Sequence, residues 1–199
     1  MTIRRAAAAA FGVALACLAG AVGVARADAQ TDAIALVQQV RQTTIALSEG
    51  GSDEVVAAQK ASIGAAFDGQ QIGRTVLGMY WTSASASDRT AVVAALLDAI
   101  AERLAGRVGR TRERDFVVLG TQVLTNGDIL VRSRFERPVR RPTTVDWRLR
   151  LCQGNLCIGD VIVDGASVTI TRRDQVTARL AGNGGSIPRL IVDLREGRL

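Results

Sequence analysis

Apolar positions fall into three regimes along this chain. From residue 32 to about 104 they recur every three or four residues, from 116 to 168 they alternate, and beyond 173 the helical spacing returns. Asp32 stands ahead of a first helix with Ile34, Val37, Val40 and Leu47 on one side, and Gly50-Gly51 ends it. Ser52-Asp53-Glu54 opens a second, shorter helix through Val55, Val56 and Ile63. Asp68 caps a third, with Ile72, Val76, Leu77 and Tyr80 inward. Ser87 is the expected cap of the longest helix, where Val92, Val93, Leu96, Leu97, Ile100 and Leu104 repeat at three and four.

The period then drops to two. Phe116 to Leu124 reads as a strand, and Asn126-Gly127 as a two-residue hairpin turn with φ > 0 at both positions. Ile129, Val131, Ser133 and Phe135 alternate with Leu130, Arg132, Arg134 and Glu136, so this strand has one wet face. Pro138 and Pro142 bracket a basic connection. Val145, Trp147, Leu149 and Leu151 alternate with Asp146, Arg148 and Arg150, and a further strand runs through Ile158, Ile162 and Val168. Two helices close the chain, one over about 173–181 and one after Ser186 with Pro188 in its first turn. The pattern predicts an α+β domain, with helices layered on one face of a curved antiparallel sheet.

Register sharpens two positions. With Gly154-Asn155 as the turn, Cys152 faces Cys157 on the side of Arg148 and Arg150, so a cross-strand disulfide fits the outer face. The same register puts Asp160 inward, opposite Leu149. A carboxylate there either serves as a general base in a pocket or is tied to an arginine, to Tyr80 or to backbone donors; a bulge at Gly159 would turn it outward.

The N-terminus carries a different pattern. Arg4 and Arg5 precede an uncharged run from Ala6 to Val24, and Ala25-Arg26-Ala27 supplies small residues at a cleavage site. This order predicts a secretory signal over 1–27 and a single domain over 28–199. A retained anchor is the alternative that the run's length permits, although Ala and Gly dominate it. Lipidation at Cys17 is disfavoured by Ala14-Leu15-Ala16, which lacks a large aliphatic at its first position. Three arginines of the leader account for half of the chain's +6 charge, so nucleic-acid binding is not expected. The chain has no histidine, which removes Ser-His, Cys-His and histidine-metal chemistry.

Several stretches resemble the MlaC family, also called the toluene-tolerance family of periplasmic phospholipid-binding proteins. They are Phe67-Asp68 with Ile72 to Trp81, Ala84-Ser85 and Asp88-Arg89; Val145 to Arg150; Asp160 to Val168 with Arg172-Arg173-Asp174-Gln175; and Gly184-Gly185 with Ile187 to Leu194. The Cys152/Cys157 hairpin departs from the family pattern. The resemblance implies an NTF2-like cone enclosing an apolar lipid pocket between sheet and helices, with no cofactor and no enzymatic activity. It also implies partners: phospholipid, an outer-membrane lipoprotein complex and an inner-membrane ABC lipid transporter complex. A similar branch of the family, associated with hopanoid-producing bacteria, leaves a hopanoid-type lipid open. A periplasmic monomer is the expected form.

The residues expected to line the pocket are Val76, Tyr80, Leu97, Ile100, Leu104, Val131, Phe135, Trp147, Leu149 and Ile162. Arg137, Arg140 and Arg141, and Arg172 with Arg173, are candidates for a phosphate head group or an acidic partner surface. Only 7 of 199 residues are aromatic, so the walls suit flexible chains better than rigid rings. Two other readings compete: an isomerase-type enzyme using Asp160 and Tyr80, and an envelope adaptor with a filled core.

Overall fold

The computed structural model describes residues 17–107, 115–136 and 141–199. Among these the helices are α1 Cys17–Glu49, α2 Asp53–Ala65, α3 Gly69–Leu77, α4 Tyr80–Ser83, α5 Ala86–Arg107, α6 Val168–Gly182 and α7 Ile187–Arg195. The strands are β1 Phe116–Val123, β2 Ile129–Phe135, β3 Thr143–Cys152, β4 Asn155–Val163 and β5 Ala166–Ser167. They form one sheet in the order β1-β2-β3-β4-β5, antiparallel at every pairing. The architecture is the expected α+β one.

The alternation read from the sequence decides which face is covered. Val131 pairs with Trp147, Ile129 with Leu149 and Ser133 with Val145, all buried. Between them run Arg132 and Arg148, which bond Gln122 and Asp128 on the other face. Ser133 is a polar residue in the apolar layer, but it is satisfied: its hydroxyl donates to Val145 O at 2.6 Å and accepts from Trp147 Nε1 at 3.1 Å. The β4 edge beyond β5 is covered by the α2–α3 connection, where Asp68 N donates to Ile158 O and Ile158 N to Ala66 O.

Both hairpins differ from expectation in their turns. At the first, Leu124 N donates to Asp128 O and only Gly127 has positive φ, so the loop is longer than the predicted two-residue Asn126-Gly127 turn. At the second, the turn is Gln153-Gly154, with φ of 51° and 85°, and Cys152 pairs with Asn155. Cys157 therefore sits opposite Arg150, and the Cys152–Cys157 disulfide is diagonal, with Cα atoms 5.9 Å apart. Moving the turn by one residue changes the pairing by two, so both cysteines stay on the outer face. A bulge at Gly159 then moves the register by one more, between Arg148 and Leu149. That odd step reverses the faces. Asp160 pairs with Arg148 and Ile162 with Asp146, outward, while Val161 pairs with the buried Trp147. The inward placement of Asp160 and Ile162 is thus corrected.

Helix starts follow their caps. Ser52 and Asp68 accept from the backbone amides of Val55 and Gln71. Ser85, not Ser87, caps α5: its hydroxyl accepts from Asp88 N at 3.0 Å and donates to the Asp88 carboxylate. The α1 helix runs on from before Asp32, so Asp32 is no cap. The α6 helix starts at Val168 rather than near 173, because Ser167 caps it through Ile170 N.

The α3 helix can approach α5 because Gly69 and Gly73 lie one turn apart on the facing side. A Cβ at Gly73 would stand 2.7 Å from Val93 Cγ2 and 3.0 Å from the Trp81 ring. We predict that Gly73→Ala forces these helices apart and lowers unfolding free energy by about 1–3 kcal/mol. Denaturant titration checks this: an unchanged midpoint would show that the α3–α5 contact has slack.

Candidate functional site

Nine of the ten expected pocket residues are brought together. Val76, Val131, Phe135, Trp147 and Leu149 lie in one buried apolar cluster, and Tyr80, Leu97, Ile100 and Leu104 pack against it half-buried. The tenth, Ile162, stands on the opposite face of the sheet, and Val161 takes the place assigned to it. The half-buried members present aliphatic side chains of α5, and Tyr80 of α4, beside a fully packed layer supplied by the sheet and α3.

A separate groove of about 580 Å³ opens where the middle of α1 meets the ends of the hairpins. Leu36, Ile129, Leu151 and Leu156 line it together with Asp32 and Arg150. None of the other nine expected pocket residues, nor Ile162, borders this groove.

The charged candidates separate clearly. Arg137 and Arg140 lie outside the described residues. Arg141 is exposed, as is Arg173, which pairs with its neighbour Asp174 at 3.5 Å. Arg172 is different: it is buried, and its Nη1 has no hydrogen-bond partner. Asp160 accepts from the Ser167 hydroxyl at 2.6 Å and from the amides of Val161 and Thr169. It therefore ties β4 to the start of α6, with donors that the alternative reading of an anchored carboxylate had anticipated. Tyr80 packs near Gly185 on the core side. No group of three His, Cys, Asp or Glu side chains among the described residues could hold a metal.

The family model described as MlaC protein matches residues 32–196. The chain belongs to the MlaC family. No curated protein matches the sequence. Among solved structures, a phospholipid-binding protein from Ralstonia solanacearum, in complex with a phospholipid, is similar in fold. The TM-score is 0.69 at 18% identity, covering 84% of this chain and 94% of that one.

Sequence reasoning missed part of this MlaC core. Val176 and Leu180 on α6 are fully buried and were not read as core, whereas Leu190 on α7 and Ile158 on β4, also fully buried, fall on the expected apolar positions. The spacing Val168, Arg172, Val176, Leu180 was a legible signal for α6, since residues four apart share a helix face. A buried acid was missed as well. Asp193 on α7 is almost wholly enclosed and receives both Arg179 and Arg198, the latter through Nε at 2.9 Å.

The hydrogen bond from Arg179, then that from Arg198, holds the Asp193 carboxyl at about 2, below the usual carboxylate range, against the opposing effect of its burial. A depressed folded-state pKa gives stability that is fully present above the unfolded value of about 3.9 and is lost as pH falls through the folded value. We predict that Asp193→Asn lowers the Tm at pH 7 and that the gap to the wild type narrows as pH falls from about 4 and closes only below about pH 2. A gap as large at pH 2 as at pH 7 would show that the clamp does not depend on the charge.

Proposed function

We propose that this protein is a periplasmic phospholipid carrier. The match of the MlaC family model over residues 32–196 carries the reading. The phospholipid in the Ralstonia solanacearum structure supports the ligand class. The chemistry of the inner layer fits it. Two acyl chains of about 30 methylenes together represent roughly 24 kcal/mol of gross burial, which calls for a deep enclosure rather than a surface groove. Val76, Leu97, Ile100, Leu104, Val131 and Leu149, gathered in or against one apolar cluster, would supply its aliphatic walls. Tyr80, Phe135 and Trp147 complete it, with Val161 in place of Ile162.

In this reading residues 1–27 direct export and are removed after Ala27. The buried positions described on α1 begin at Ala33, so the cut spares its packing against the core. Among the described residues no helix is long and apolar enough to cross a membrane. A monomer loaded with lipid then travels between an outer-membrane lipoprotein complex and an inner-membrane ABC transporter, without catalysing covalent chemistry. The engagement of Asp160 with Ser167 and Thr169 favours this over an isomerase, because the carboxylate is occupied as a structural acceptor.

The test is uptake of a labelled phospholipid from vesicles by the exported protein. We expect stoichiometric uptake. Ile100→Glu should lower retention at least tenfold while leaving the circular dichroism spectrum unchanged, since a carboxylate facing acyl chains costs on the order of 2 kcal/mol or more. Uptake by that variant equal to wild type would move the lipid away from α5, and no uptake by wild type would reject the carrier.

A further inference from the structure

The alternation of β3 leaves one apolar residue uncovered. Val145, Trp147 and Leu149 share the helix-covered face of the sheet and are buried. Leu151 continues that series, yet it is 72% exposed. Its cross-strand neighbour Leu156 packs half-buried against the core. Leu151 thus has the phase of a core residue and no cover among the described residues.

Leu151 stands at the lip of the groove of about 580 Å³, whose walls include Leu36, Ile129 and Leu156. The groove has two lips of different origin. One is α1, where Ala29, Asp32, Ala35 or Leu36, and Gln39 recur every three or four residues and so share a face. The other is the end of the β3–β4 hairpin, with Arg150 and Leu151.

The lips carry opposite charge. The Asp32 carboxylate is exposed and has no hydrogen bond or ion pair among the described residues. Arg150 is half-exposed, and its Nε lies 3.8 Å from Asp68 Oδ2, beyond hydrogen-bond reach. A ligand or partner of a single sign would answer only one lip. A surface with a projecting leucine, a cavity beside it and one charge of each sign is complementary to itself. A two-fold axis through the groove sets the α1 lip of one copy over the hairpin lip of the other. Each Leu151 then enters the opposite groove, and each Asp32 meets an Arg150.

We propose that this groove is the face through which two copies of the chain pair. Twelve residues border it, fewer than the roughly 20–30 a side of a standard interface, so the pairing is weak and reversible. Dilute protein remains the monomer of the carrier reading, on which the pairing does not depend.

Sedimentation velocity of the exported protein between about 5 μM and about 500 μM reads the pairing directly. Wild type should pass from monomer to dimer over this range and go no further. Leu151→Asp should weaken the dimer about tenfold or more with an unchanged circular dichroism spectrum. Asp32→Arg and Arg150→Glu should each stay monomeric, because each homodimer sets like charges together twice. An equimolar mixture of the two should dimerise again, since the mixed pair restores both contacts. Leu151→Asp and Asp32→Arg carry the test if Arg150→Glu does not fold. Wild type that stays monomeric at about 500 μM would overturn the proposal and leave the groove to a different occupant. A dimer that persists in Leu151→Asp and Asp32→Arg would place the interface elsewhere and overturn it too. So would a mixture of the two folded charge variants that stays monomeric.

Discussion

The bulge at Gly159 sets the phase of everything C-terminal to it. Before it, Ile158 faces the helices beside Leu149; after it, Val161 and Val163 do, opposite Trp147 and Val145. The extra residue turns Asp160 to the outer face, where it meets Ser167 and Thr169 and ties the start of α6 to the sheet. That anchor fixes where α6 begins, and so which of its residues turn inward: Arg172, Val176 and Leu180. An added Cβ at Gly159 would lie 3.2 Å from the Arg150 Cδ, so the arginine stem packs directly over the bulge. An odd register step on one strand thereby places both an apolar wall and a buried cation.

The interior combines two kinds of surface. The sheet and α3 contribute side chains that are closed off, such as Val76, Val131 and Leu149. Along α5, Leu97, Ile100 and Leu104 remain half-buried against them. Under the carrier reading, the closed-off side chains form the rigid wall and the half-buried ones along α5 the accessible wall. Rigidity comes from close contacts and clamps, with Gly69 and Gly73 letting α3 meet α5, and Asp193 joining α6 and α7 to the C-terminal residues.

Helices and strands were legible in the sequence because the change of period from 3.6 to 2 and back survives any local detail. The face assignment of β2 and β3 was legible too, since their alternation is unbroken. The β3–β4 register was not. Gln153-Gly154 and Gly154-Asn155 both offer a glycine to a tight turn, and the bulge at Gly159 leaves no periodic mark. The bulge alone reversed Asp160 and Ile162, whereas the even step of the turn kept both cysteines on their expected face. Helix α6 was placed about five residues late, because Val168 and Ile170 read equally well as strand residues before Ser167 is known to cap. Arg172 was noticed as a charge at a helix start; its burial follows only from the four-residue spacing to Val176 and Leu180.

In the proposed carrier these features would set acyl chains against α5 and the sheet. The most direct measurement is organic extraction and mass spectrometry of the protein purified from an exporting host. This account predicts lipid bearing two acyl chains and a phosphate, at about one molecule per chain. Protein that is correctly folded and free of lipid would contradict it.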